Sequence, residues 1–292
     1  MANIVYTNYY LPDTYVKAKD IYLQKYDKIT ADQMLESSKL DKITIIQSKN
    51  EILCKYIDLL DDLFLKTKID PAKVKYIIYT DKSTYVTGSY ICIPYYLQEK
   101  YKMNKATAFL VYQNCCSVFQ ALDVVNSIYN NHSDYYSLIL STAYRNCDIK
   151  DRETLGVIVG DGLGVMLIGP NEKKGYRIVD TITKSNGFLS YHEDINQPYN
   201  KLNIEMRIKI MTSAIQFISE FISKNNLEAT DIKKFIPPSM DAAINQAIAD
   251  FLKIPIQRIF SENIPKCGHL AAVDTIQNMH DVIHSGELET GD

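Results

Sequence analysis

The stretch Ala108-Phe-Leu-Val-Tyr-Gln-Asn-Cys-Cys-Ser-Val-Phe-Gln-Ala-Leu122 decides the fold. Residues 108–112 form a short apolar run that reads as a buried strand. Val118, Ala121, Leu122, Val125 and Ile128 then recur at the helical period, so a helix follows the turn. The switch from strand to helix leaves Cys115 at the helix N-terminus. There the unpaired N–H groups and the positive end of the helix dipole favour a thiolate. A thiolate so placed can attack a thioester carbonyl, and a backbone N–H of the same turn can hold the oxyanion. The plain alternative is a buried structural cysteine. Cys116, one step round the helix, points elsewhere and reads as packing.

Working outward, strands and helices alternate, which predicts an α/β architecture. Strands are expected at 74–79 and 136–141. A pair of short strands is expected over 156–169, around the turn Asp161-Gly162-Leu163-Gly164, with further strands at 177–182 and 234–236, the last stopped by Pro237-Pro238. Apolar residues at helical spacing mark helices at 211–222, 244–252 and 272–283, the last closed by Gly286. The Gly-Asp-Gly-Leu-Gly turn is no dinucleotide fingerprint, because its glycines lead into the strand Val165-Met-Leu-Ile168 and not into a helix.

Composition narrows the function. The chain has 292 residues, 46% of them hydrophobic, and a formal net charge of −3, enough for a large core and of the wrong sign for nucleic acid. Basic residues are scattered, no segment is long and apolar enough to span a bilayer, and the opening residues resemble no signal peptide, so a cytoplasmic protein is expected. The six cysteines form no CxxC pair and no regular framework, so free thiols are expected and no metal site.

Cys115-Cys-Ser-Val-Phe-Gln-Ala-Leu122 resembles the nucleophile helix Cys-Ala-Gly-Phe-x-x-Ala-Leu of the β-ketoacyl-acyl-carrier-protein synthase III family, in the thiolase superfamily. Val159-Gly-Asp-Gly-Leu-Gly164 is similar to that family's Phe-Gly-Asp-Gly-Ala-Gly turn. Ile4-Val-Tyr-Thr-Asn-Tyr-Tyr-Leu-Pro12 is similar to its first strand, and Cys267-Gly-His-Leu-Ala-Ala272 takes the place of its Gly-Asn-Thr-Ser-Ala-Ala motif. These anchors span nearly the whole chain. The resemblance implies a thiolase fold of two pseudo-twofold-related halves, residues 1–170 with the nucleophile and 171–292, in a layered α-β-α-β-α arrangement. It also implies a homodimer through the strand leading to Cys115.

The departures from the family carry as much information as the matches. Pro238, in Phe235-Ile-Pro-Pro-Ser-Met-Asp241, stands where condensing members have the histidine of His-Gln-Ala-Asn, and His269 stands where they have an asparagine. That pair holds the malonyl thioester carbonyl during decarboxylation, so condensation comes into doubt. His269 restores a base, and a Cys115–His269 pair suffices for acyl transfer. Asp274, five residues on, could orient the imidazole, but helical geometry speaks against it. His132 and His192 fall in polar loops, and His280 and His284 lie one helical turn apart on an expected surface. Arg145 and, closer in match, Arg152 fall where the family places an arginine beside the pantetheine tunnel. Members also continue past Gly-Glu-Leu-x-x-Gly-Asp with a final strand pair that the second half here would lack. The expectation is therefore an acyltransferase with no permanently bound cofactor. It would take an acyl group from coenzyme A or an acyl carrier protein and pass it to an acceptor. A condensing synthase, or a non-catalytic subunit paired with a related synthase, are the alternatives.

Overall fold

The structure, a computed structural model, describes residues 2–81, 86–87, 91–129, 134–154, 157–170, 175–185, 204–289 and 292. A six-stranded mixed sheet forms its centre. β1 (Ala2–Tyr10), β2 (Val74–Tyr79), β3 (Thr107–Leu110), β4 (Tyr136–Ala143), β5 (Gly162–Pro170) and β6 (Tyr176–Arg177) lie in the order β6-β1-β5-β4-β2-β3. β4, β2 and β3 are parallel, and β1 is antiparallel to both β5 and β6, as is β5 to β4. Every residue of β4, and β5 up to Gly169, is buried. A sheet covered on both faces gives unbroken apolar runs in sequence.

Alternation along the strands sorts these side chains between two layers. Leu163, Val165 and Leu167, with Leu138 and Leu140, pack on Ile52, Tyr56, Leu60 and Leu63 of α1 (Lys49–Thr67). Met166 and Ile168, with Ile78 and Ile139, face α2 (Ser117–Tyr129) through Val118, Ala121 and Val125. Among the other helices are α3 (Ile204–Lys224), α4 (Ala242–Leu252) and α5 (Val273–His284), and Ile276 of α5 joins the α2 layer. Each fully buried aliphatic side chain contributes about 1.5–3 kcal/mol. Side-chain caps set the starts of α1 and α4: Ser48 accepts from the Glu51 N–H and Asp241 from those of Ala243 and Ile244.

Three expected elements differ. Gly162 and Gly164 lie inside β5, paired with Ala143 and Ser141, so the chain reverses just before them and not around them. The 177–182 strand shrinks to β6. The 234–236 strand is a single parallel bridge from Phe235 to Ile259, because Pro237 and Pro238 bring no N–H to extend it. Among the described residues, 171–292 therefore form helices, β6, that bridge and a second parallel bridge from His269 to Val159. No helix of the described residues is long and apolar enough to cross a membrane.

Candidate active site

The nucleophile turn is built by a serine. β3 ends at Leu110, and Val111 N–H donates to Tyr79 O at 2.9 Å. The Ser117 hydroxyl donates to Asn114 O at 2.7 Å and accepts from Gln113 N–H at 2.8 Å, so one side chain ties both ends of the turn. Asn114 takes the left-handed conformation, φ 46°, that asparagine tolerates better than most residues. Cys116 N–H returns to Gln113 O, and the first helical bond runs from Gln120 N–H to Cys116 O. Cys115 thus sits just ahead of α2, partly exposed, at the carboxyl ends of the parallel strands where α/β sheets open their crevices.

His269 arrives from the far end of the chain. Its N–H donates to Ile158 O at 3.0 Å and its carbonyl accepts from Gly160 N–H at 3.1 Å, a parallel bridge that lays residues 267–269 against the approach to β5. Glycine is required at 160, because a Cβ there would stand 2.1 Å from Cys267 O. Gly160→Ala is expected to push the 267–269 segment outward, lowering Tm by on the order of 5 °C and acyl transfer by about 10-fold or more. Thermal melts and turnover check this; a neutral substitution would show that the bridge does not set the position of His269.

The two segments meet with Cys115 Sγ 2.9 Å from His269 Nε2. His269 Nδ1 lies 2.5 Å from Asp274 Oδ2. The carboxylate is completely buried, and its oxygens accept from the N–H groups of Leu270 and Ser239, each at 2.8 Å. Asp274 therefore does orient the imidazole, which corrects the helical argument against it. Ala271 adopts φ 48° and α5 begins only at Val273, so the five residues from His269 to Asp274 fold back as a turn. Burial opposes charge on the ring. The Asp274 carboxylate outweighs it, by charge and by hydrogen bond, and together with Cys115 pushes His269 up to about 10. The ring thus carries a proton at neutral pH and can act as the counter-ion of a sulfur anion and as an acid toward a leaving thiol.

The arginines part company. Arg152 is 2% exposed and its guanidinium pairs with both oxygens of the buried Asp161, each at 2.9 Å, with a further bond of 2.8 Å to Arg145 O. Asp161 also accepts from the N–H groups of Ile46 and Arg145. Arg152 therefore braces the loop under the site, and its expected place at a tunnel entrance is corrected: a carboxylate inside the fold has taken its charge. Replacing it by alanine strands Asp161 without its cation, and a loss of about 3–5 kcal/mol is expected in denaturant unfolding. Arg145 is exposed; burial pushes the Tyr112 hydroxyl up, and the Arg145 charge acts against that rise. Pro238 offers no donor, and its carbonyl accepts from Met240 N–H and the Asn245 amide. His280 is half-buried, donating from Nδ1 to Thr7 O at 2.7 Å, while His284 is exposed; His132 and His192 lie outside the described residues. Sequence reasoning missed Ser239, whose part in the site is a backbone N–H and leaves no trace in residue type.

Residues 222–292 match the family model for the C-terminal part of 3-oxoacyl-[acyl-carrier-protein] synthase III. A β-ketoacyl-[acyl-carrier-protein] synthase III of Sulfurimonas denitrificans is 22% identical over 229 residues, 71% of this chain and 68% of that protein. The crystal structure of 3-oxoacyl-[acyl-carrier-protein] synthase III from Aquifex aeolicus is similar with a TM-score of 0.78 at 20% identity, covering all of this chain and 94% of that one. A solved acyltransferase, ChlB3, is similar with a TM-score of 0.80 at 18% identity, covering all of this chain and 91% of that one. The fold is the thiolase fold. Within that fold, the chain is similar to proteins named β-ketoacyl-acyl-carrier-protein synthase III, by the family model over residues 222–292 and by relatives at 22–25% identity.

Proposed function

We propose that this protein moves an acyl group from coenzyme A or an acyl carrier protein, through a thioester on Cys115, to an acceptor nucleophile. The observation that carries this is the continuous Cys115–His269–Asp274 contact. The charged sulfur attacks the donor carbonyl, forming a new C–S bond. The tetrahedral intermediate then collapses by breaking the bond to the donor sulfur, which takes a proton from His269. The neutral ring next accepts a proton from the acceptor as it attacks the acyl-enzyme, and the second tetrahedral intermediate collapses by breaking the bond to Cys115 Sγ, which leaves with the electron pair beside the charged ring. Asp274 holds the tautomer and balances the charge that returns to the ring. The division at about residue 170 fits this reading: the first part brings the nucleophile, and the second its base. Arg145, exposed beyond β4, is the cation assigned to the donor's phosphate. The edge strand β3, with Leu110 38% exposed, is the surface assigned to a homodimer in the cytoplasm.

Decarboxylative condensation is disfavoured. An enolate would find at most the His269 ring as side-chain donor, since Pro238 has none. Loss of one such donor typically costs about 10²–10³ in rate. Intact-protein mass spectrometry after incubation with a panel of acyl-CoAs, followed by labelled carbon dioxide from malonyl-CoA and malonyl carrier protein, tests the proposal. An acyl adduct on Cys115 with little carbon dioxide release is expected. Release that keeps pace with acyl consumption and vanishes in His269→Ala would make it a condensing synthase. Absence of any adduct would leave a non-catalytic subunit that partners a related synthase.

A further inference from the structure

The buried polar groups behind the site form one connected set. Asp274 and Asn278 stand one turn apart on α5 and therefore on one face of it. The Asn278 amide donates to Pro237 O at 2.9 Å and to the Ser239 hydroxyl at 3.1 Å. The Asn278 carbonyl oxygen accepts from the Asn263 amide at 3.0 Å. Asn263 is itself oriented, since its amide also donates to Asp281 Oδ2 at 2.7 Å and its oxygen accepts from Lys266 Nζ at 3.0 Å. Those outer partners settle which end of Asn278 is the donor. Asn278, Asn263 and Ser239 are all almost fully buried. Their hydrogen bonds are then made in a low dielectric, where losing one leaves a costly orphan.

Resting on the Cys115–His269–Asp274 reading above, we infer that Asn278 is a positioning residue for acyl transfer: it staples the Pro237–Ser239 loop to α5 so that the Ser239 N–H holds the carboxylate of Asp274. Apart from the Ser239 N–H to Asp274 bond itself, Asn278 makes every tie of the loop to α5 among the hydrogen bonds of the described residues. Its second anchor is on α4, where the Asn245 amide donates to Pro238 O. Without Asn278, the loop can move away with α4 and take the Ser239 N–H with it. Asp274 would keep the Leu270 N–H and the ring, but Oδ2 would lose the donor that fixes its direction. The groups that face the ring are then unchanged in kind. They are Cys115 from the turn before α2 and Asp274 from α5, with the buried Cys267 thiol close enough to feel the Asp274 charge. What changes is the aim of the carboxylate, and a short charge-assisted bond is sensitive to aim. The segment that gives condensing relatives a histidine, by resemblance, gives this chain a carboxylate clamp. That accounts for a proline at 238, whose missing N–H costs the clamp nothing.

The test needs no substrate for its first readout. The full chain, labelled at histidine nitrogen, is titrated by NMR, and the His269 midpoint is followed. Asn278→Ala is expected to lower that midpoint by about one unit or more, equivalent to a tenfold loss of preference for the charged ring. Acyl transfer from acyl-CoA should fall by about 10–100-fold in kcat with KM little changed. Ser239→Ala keeps the N–H and the Asn278 bond to Pro237 O while removing the hydroxyl bonds to Asn278, so a smaller shift than that of Asn278→Ala is expected. Asn278→Ser, too short to reach both loop partners, is the second variant should the alanine protein not fold, and the same shift is expected of it. A folded Asn278 variant whose ring titrates as in the wild type overturns the inference, even if its Tm has dropped. If the wild-type protein transfers no acyl group to any donor or acceptor tried, the proposed function fails. The midpoint shift still decides the positioning role.

Discussion

Cys115→Ala is expected to abolish acyl adducts and to lower transfer by at least about 10⁴-fold, with little change in Tm. The sulfur is partly exposed and makes one side-chain hydrogen bond, so the fold loses little with it. Neither Cys116 nor Cys267 can replace it. Cys116 is exposed and its backbone serves the first turn of α2, with no imidazole paired to its sulfur among the described residues. Burial pushes the Cys267 thiol up to about 12, with the negative charge of Asp274 adding to the effect. Peptide mapping of the wild-type protein after acyl-CoA treatment should place the adduct on residue 115, and Cys116→Ala should keep it there. A label that survives Cys115→Ala, or that lands on Cys116, would take the nucleophile away from this turn.

The second large effect belongs to Asp274→Asn. An amide in this place can still bond the ring, but it neither fixes the productive tautomer nor balances charge. The comparable change in a serine triad costs about 10⁴ in kcat, and a loss of about 10³–10⁴-fold is expected here. With the carboxylate gone, burial, which lowers the ring's pKa, is opposed only by the bond and charge of Cys115, so the ring's preference for the charged form falls. The stability consequence has a definite sign. A folded-state pKa raised to about 10 contributes stability that is fully present below about 6.5 and is lost as pH rises through about 10. The stability gap between wild type and Asp274→Asn should therefore be wide at pH 7 and narrow above pH 10. Urea unfolding at the two pH values measures it. A gap of equal size at both would mean that the pair is not charged in the folded protein.

The strands, helices and nucleophile turn were open to sequence reasoning because each has a local cause. The apolar period, the β-prone runs of β2 and β4, and the break at Pro237-Pro238 all act within a few residues. Cys115 and His269 came from motif order. What could not be read was geometry set at long range. Asp274 reaches the ring only because Ala271 takes a left-handed conformation, and alanine gives no sign of doing so. Arg152 looked like a surface cation until Asp161 closed on it from the start of β5. The Gly-Asp-Gly-Leu-Gly segment carries turn residues, yet its glycines serve contact: Gly164 admits Ile276 of α5 and Gly160 the backbone at Cys267.

The nucleophile and its base are 154 residues apart in the chain. During synthesis, everything that shapes the Cys115 turn is made long before the segment that carries His269, Asp274 and Asn278. A nascent chain ordered only through β5 would present the sulfur with neither imidazole nor carboxylate beside it, much like an ordinary free thiol. On the proposed mechanism, docking of α5 against the sheet would complete the site. The bridge between Val159 and His269 would then serve as a safety catch: an incomplete or partly unfolded copy would meet acyl thioesters without the imidazole that transfer calls for.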